Sequence, residues 1–148
     1  MVAVDLIKKL RDLTGAGIAD CRQALEETNG DIASAEALLK KRGIEKAAKK
    51  AERETGQGRV FSYVHSSRIG VILSLLCETD FVAATDDFQN LGKELTLQIA
   101  SMNPKDTREL LAQEYIRDPK LNVDALVKST IGKLGENIRI GKFYRLTL

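Results

Sequence analysis

The sequence predicts an α+β fold: a small three-helix bundle, a charged connector, and a three-stranded antiparallel sheet packed with helices. Three observations carry this. Apolar residues recur at three- and four-residue steps from Leu6 to Leu39, interrupted twice by glycine-bearing turns. From about Arg59 the period shortens to that of strands, over two runs separated by a short turn. Helical spacing then returns from Phe88, and a last β-rich run occupies Ile138–Leu148. The chain has 148 residues, of which 43% are hydrophobic and 30% charged. Those values exclude a disordered or collagen-like chain.

Residues 1–43 form the first unit. Leu6, Ile7, Leu10 and Leu13 stripe one helix, which Thr14-Gly15-Ala16-Gly17 breaks. Two glycines in four residues oppose helix and permit a tight turn. Ile18, Cys21, Ala24 and Leu25 stripe a second helix. Asn29-Gly30-Asp31 then reads as a stop followed by a start, with Gly30 past the helix end and Asp31 as the next N-cap. Ile32, Ala35, Leu38 and Leu39 stripe the third, which Gly43 is expected to close. Such a bundle buries little surface and is marginal alone.

Residues 44–58, in which the run Glu45 to Glu54 has no apolar face beyond alanine, read as a charged helical linker ending at Gly56 and Gly58. Residues 59–148 form the α+β core. Val60, Phe61, Tyr63 and Val64 form one strand, and Ser66-Ser67-Arg68 a turn. Gly70 to Cys77 is a nearly continuous apolar strand, expected to be central and well buried. Phe88, Leu91, Leu95, Ile99 and Met102 stripe a helix that Pro104 ends. A short helix is expected over Thr107–Ile116, then a break at Asp118-Pro119. Val123, Leu126, Val127, Ile131 and Leu134 stripe the last helix. In the final strand Gly141 is a candidate bulge.

Several function classes are poorly supported. The most apolar stretch, Val71-Ile72-Leu73 followed after one serine by Leu75-Leu76-Cys77, is far too short to span a bilayer. The N-terminus carries charge at Asp5 and no apolar stretch of a secretion signal. Cys21 and Cys77 lack CxxC spacing and a His/Cys cluster, which argues for reduced thiols and against a zinc site. A formal charge of +2 does not mark a nucleic-acid binder. His65 is the sole histidine and lies beside a turn, with no nucleophile elbow nearby. Walker A and GxGxxG sequences are absent. No catalytic, metal or cofactor site is expected.

The segment Cys77-Glu78-Thr79-Asp80-Phe81-Val82-Ala83 joins the apolar strand to helix. Two readings are open from the residues. Asp80 caps the helix and Phe81 joins the core. Alternatively, an acid beside an exposed aromatic on a rigid corner inserts into a partner.

Leu10-Arg11-Asp12-Leu13-Thr14-Gly15-Ala16-Gly17-Ile18-Ala19-Asp20-Cys21-Arg22 resembles the N-terminal signature of bacterial elongation factor Ts. Cys77 to Ala83 resembles its central signature. Gly30-Asp31-Ile32, Lys46-Ala47-Ala48-Lys49-Lys50 and Gly135-Glu136-Asn137-Ile138 match as well, in family order along nearly the whole chain. The resemblance implies a ubiquitin-associated-like N-terminal module and a core with a three-stranded antiparallel sheet. It implies a cytoplasmic, non-enzymatic guanine-nucleotide exchange factor for elongation factor Tu, meeting that GTPase in its GDP-bound and nucleotide-free forms. By position, Thr79, Asp80, Phe81 and Val82 are implied to displace the elements that hold the partner's magnesium. Arg11, Ile18, Ala19 and Arg22 are implied to grip another part of the same GTPase domain. The family often carries two methionines where this chain has Ile18 and Ala19, and Ala19 offers less contact area. Short members have one core subdomain and can pair into a symmetric dimer, giving a two-to-two complex; the strand at Ile138–Leu148 offers an edge for such pairing. Nucleic acid and membrane are not implied partners. Three other classes compete: a binding module on an unrelated domain, an RNA binder using residues 40–53, and an enzyme using His65 or Cys77. The first leaves the central signature unexplained, few aromatics oppose the second, and the apolar strand around Cys77 opposes the third.

Overall fold

The computed structural model describes residues 1–148. Three helices come first: α1 (Val4–Thr14), α2 (Ile18–Glu27) and α3 (Ile32–Lys50). Gly15 ends α1 in the left-handed region at φ 68°, its N–H donating to the Arg11 carbonyl. The Asp31 carboxylate accepts the Ser34 N–H at 3.2 Å and starts α3. The Ser34 hydroxyl, which also donates to this carboxylate, and then the Ser34 N–H hold the Asp31 carboxyl below its ordinary range. Leu10, Cys21, Ala24, Leu25 and Ala35 form a small closed core, ringed by half-buried Leu6, Ile7, Ile32 and Leu39.

The third helix does not stop at Gly43. It runs on to Lys50 and buries Ala47 in the main core, so the first part of the expected helical linker is a continuation of α3 and packs rather than standing in solvent. One interior glycine costs about 1 kcal/mol of helix propensity. Packing offsets that cost, because α3 lies against α7 (Val123–Leu134). The two helices meet at glycines: a methyl group on Gly132 would stand 2.9 Å from the Gly43 Cα, whereas one on Gly43 would meet open space.

The main sheet has the order β1–β2–β5, all antiparallel, from β1 (Gln57–His65), β2 (Ile69–Cys77) and β5 (Ile138–Thr147). The turn between β1 and β2 holds Ser66 and Ser67 at positive φ, closed by Arg68 N–H to His65 C=O at 3.0 Å. The register shift in β5 falls where the sequence places it: Gly141 and Lys142 together face Ser74. The Ser74 hydroxyl accepts the Lys142 N–H at 2.8 Å.

Strand β2 is central, as expected, but is covered on one face only. Val71, Leu73, Leu75 and Cys77 are buried with Phe88, Leu95 and Ile99 of α5 (Asp86–Met102). The alternate residues point away from the helices, and Ile72 is 49% exposed. A continuous apolar run suggests a strand covered on both faces. Here the outer face stays open although it carries Ile72 and Leu76.

The helix expected over Thr107–Ile116 is shorter than that. α6 ends at Ala112, and β3 (Glu114–Tyr115) pairs with β4 (Asp118–Asn122) in a second small sheet. Gln98 explains the switch to extended backbone. It is 1% exposed, and its amide donates to Glu114 C=O at 3.0 Å and accepts Ile116 N–H at 3.0 Å. Tyr115 adds a hydroxyl bond to Glu94 at 2.7 Å. A buried side chain that satisfies strand backbone is invisible to local periodicity.

Adding one methyl should act oppositely at the two glycines of the α3–α7 crossing. Gly43→Ala is expected to raise stability by about 0.5–1 kcal/mol, and Gly132→Ala to lower it by about 1–3 kcal/mol. Urea unfolding of both variants measures the difference. Equal shifts would mean that the crossing is not close.

Candidate functional site

The corner between β2 and the next helix is built residue by residue. Strand β2 ends at Cys77, and Thr79 is extended at φ −130°, ψ 152°. A single helical turn follows, α4 (Asp80–Ala83). Its N-cap is Thr79, whose hydroxyl oxygen accepts the Val82 N–H at 3.3 Å. Asp80 is therefore not the cap. It stands exposed in the first turn.

Phe81 decides between the two readings of this segment. Its side chain is 84% exposed, so it is not a core residue. Its neighbours Val82 and Ala83 are buried in the main core and hold the turn from beneath. Val82 is 5% exposed. An exposed phenylalanine on a turn seated in the core presents apolar area in a fixed place, which suits an interface anchor.

Residues distant in sequence fix the corner. The Cys77 thiol donates to the Thr79 carbonyl at 3.1 Å. Burial and the nearby Glu136 charge push that thiol above its ordinary pKa, so it stays protonated and able to donate. The Arg59 Nε donates to the Ala83 carbonyl at 2.9 Å, closing the far end of α4. Glu136 accepts from the backbone of Glu78 and Thr79 and from the Thr79 hydroxyl. Of these, Arg59 carries no signal in the sequence, because its partner is a backbone carbonyl 24 residues away. Glu136 lies in a recognisable motif, but spacing alone does not say what it holds.

The second group of residues lies on the N-terminal unit. Ile18, Ala19 and Arg22 are exposed on the first turns of α2, with Ile18 and Arg22 one helical turn apart. Arg11 is exposed in the last turn of α1, near enough for its charge to act on Cys21. These four thus gather on one region of the small bundle. Cys21 itself is buried, and desolvation raises its pKa. Gly15 needs its left-handed backbone, whereas Gly17 has an ordinary φ of −63°.

His65 is exposed, and its Nδ1 lies 2.7 Å from the Tyr63 hydroxyl. No group of three or more His, Cys, Asp or Glu side chains is placed to hold a metal. No helix is long and apolar enough to cross a membrane.

The family model for Elongation factor TS matches residues 78–148, from the corner onward. An elongation factor Ts of Thermosipho melanesiensis is 40% identical, the alignment covering all of this chain and 99% of that protein. This chain belongs to the elongation factor Ts family. Its members are translation elongation factors. The Fervidobacterium nodosum elongation factor Ts is 36% identical over 99% of this chain and 98% of its own length. That of Petrotoga mobilis is 40% identical over the same shares. The Thermosipho alignment runs over 194 positions against the 148 residues here. At least 46 of its positions (194 less 148) therefore face no residue of this chain.

Truncating the two phenylalanines should separate display from support. Phe88→Ala is expected to cost about 3–5 kcal/mol, as for a fully buried ring. Phe81→Ala is expected to change stability by less than about 0.5 kcal/mol. Thermal melts of both variants test this, and a large loss for Phe81→Ala would return that ring to the core.

Proposed function

We propose that this protein is a guanine-nucleotide exchange factor that binds elongation factor Tu·GDP and promotes GDP release. The observation that carries the reading is Phe81, an exposed ring beside an exposed acid on a corner seated in the core. Membership of the elongation factor Ts family supports elongation factor Tu as the partner.

The mechanism needs no bond-making residue. The partner holds GDP through backbone N–H groups, a lysine and magnesium. A factor that binds the nucleotide-free form more tightly than the GDP form weakens GDP by the same factor by which GDP weakens it. Phe81 supplies apolar contact energy of about 2 kcal/mol or more once buried in the partner. Asp80 competes for polar groups around the magnesium, while Thr79 and Val82 hold the pair in place. Arg11, Ile18, Ala19 and Arg22 make the second contact, which adds affinity and orients the corner. The protein acts in this way in the cytoplasm and catalyses no covalent step. Nucleic acid and membrane have no part in it.

Release of a fluorescent GDP analogue from purified elongation factor Tu tests the proposal. The wild type should accelerate release, and folded Phe81→Ala should do so at least about tenfold less, in line with loss of an interface anchor. Equal acceleration by both would remove Phe81 from the mechanism. No acceleration by the wild type would refute the exchange reading.

We further propose that two copies pair through the open face of the main sheet, giving a two-to-two complex. The register sets Ile72 beside Tyr144, and Gly70 between Val64 and Leu146. Val60, Val64, Ile72, Tyr144 and Leu146 are all exposed there. Contiguous apolar residues on one side of a sheet favour packing against a like sheet. This surface is broader than the β5 edge considered from the sequence. Light scattering should give the mass of two chains, and Ile72→Asp with Leu146→Asp should give one. A monomeric wild type at micromolar concentration would overturn the pairing.

A further inference from the structure

Glu136 follows the left-handed turn at Gly135 that ends α7, and precedes β5. Its carboxylate takes three donors from the two residues before Asp80. One oxygen accepts Glu78 N–H at 3.2 Å and Thr79 N–H at 3.0 Å. The other accepts the Thr79 hydroxyl at 2.7 Å. The exchange is reciprocal, because the Glu78 carboxylate accepts the Asn137 N–H at 2.8 Å. Hydrogen bonds to ionised acceptors are about twice as strong as neutral ones.

We infer that Glu136 is a positioning residue for Phe81: it sets the direction in which the exposed ring leaves the corner. The inference rests on the exchange reading above and adds a residue that acts through Phe81 without itself meeting the partner. The argument is geometric. A single turn such as α4 has few hydrogen bonds of its own. Its orientation therefore depends on its ends. Arg59 fixes the C-terminal end at Ala83. At the N-terminal end, Thr79 has its N–H and its hydroxyl proton both committed to Glu136, while its hydroxyl oxygen caps Val82. Freeing Thr79 loosens the cap and the residue immediately before Asp80–Phe81 together.

The same node reaches the N-terminal unit. Asn137 is 2% exposed, and its amide donates to the carbonyls of Ala51 at 3.3 Å and Arg53 at 2.9 Å. Arg53 also pairs with Glu78 at 3.6 Å. The chain just past α3 is thereby tied to the loop that carries Phe81. Since α3 belongs to the small bundle, both proposed contact regions are referred to one frame.

The test is GDP release measured over a range of concentrations of this protein, which separates the maximal release rate from the half-saturating concentration. Glu136→Ala should lower the maximal rate about tenfold, as for a group displaced rather than removed. Its half-saturating concentration should rise less than that of Phe81→Ala, because the ring is redirected and every proposed contact residue remains. In a Phe81→Ala background the same substitution should change the rate less than about twofold, since residues acting through one another are not additive. Glu136→Gln keeps an oxygen for the two N–H groups and should fall between wild type and Glu136→Ala. Faster amide exchange at Thr79 in the free variant is the matching structural readout.

A folded Glu136→Ala with the wild-type maximal rate would overturn the inference, as would equal losses with and without Phe81. If Glu136→Ala fails to fold by circular dichroism, Glu136→Gln carries the test against the same expectations. An active wild type with a defective Phe81→Ala and a normal Glu136 variant removes the positioning role alone. A wild type that releases no GDP removes the exchange reading and this inference with it.

Discussion

Helix α3 has to reach from the small bundle into the main core, and it does so by crossing α7 where glycine meets glycine. Backbone meets backbone at Gly43 and Gly132, with no side chain between. The constraint follows from size. Five closed core residues do not hold three helices against the entropy of ordering them. The bundle needs the larger core, and α3 is its shared element: Ala35 belongs to the small core and Ala47 to the large one. One helix thus carries two hydrophobic faces in succession, with a glycine where the neighbour changes.

That arrangement has a consequence at the exposed corner. The segment just past α3 supplies the carbonyls that Asn137 holds, and Asn137 stands next to Glu136, which holds Thr79. Bundle, last strand and corner are therefore joined through buried polar contacts as well as through apolar packing. Polar networks of this kind are directional where apolar contacts are not. Apolar packing under Val82 and Ala83 keeps the corner down, and the hydrogen bonds keep it turned one way. A wedge needs both, because an aromatic ring on a loose loop loses on binding what it gains in contact.

Periodicity in the sequence recovers the elements that hold themselves by local pattern. Spacing places the helices α1, α2, α5 and α7, although Leu13, Ile18 and Met102 of their stripes are exposed, and the apolar run of β2 marks the central strand. Gly141 likewise marks the bulge. The failures share a cause, which is control from a distance. Gly43 reads as a stop because propensity is local, whereas Gly132 lies 89 residues further on. The segment after Ala112 reads as helix because the buried Gln98 that satisfies its extended backbone lies in another element. The apolar run of β2 reads as buried on both sides because sequence does not reveal how many faces the fold covers. At the corner, the residue types Asp80 and Phe81 suggested a contact, but only burial distinguishes a displayed ring from a packed one. The supporting Arg59 bonds to a backbone carbonyl, and any residue type has a carbonyl to offer.

Exposed apolar residues are spread over the chain, Val4, Leu13, Ile18 and Ile44 on the helices among them, but two places stand on packed layers of the main core: the Phe81 corner and the outer face of the sheet. Each is backed by a well-packed layer, so neither results from a poorly filled core. Leaving a ring in water forgoes about 1.5–3 kcal/mol of burial free energy in the isolated protein. That free energy is available again only where a partner covers the ring. A protein that works by differential binding needs stored contact energy of this kind and needs no titrating group at its contact point. The chemistry of the chain agrees with that logic. Its two thiols are buried and held protonated, and its one histidine bonds to a tyrosine on the strand beside the turn. What the fold displays is shape: a ring and a carboxylate held on a corner, and a sheet face with exposed apolar residues.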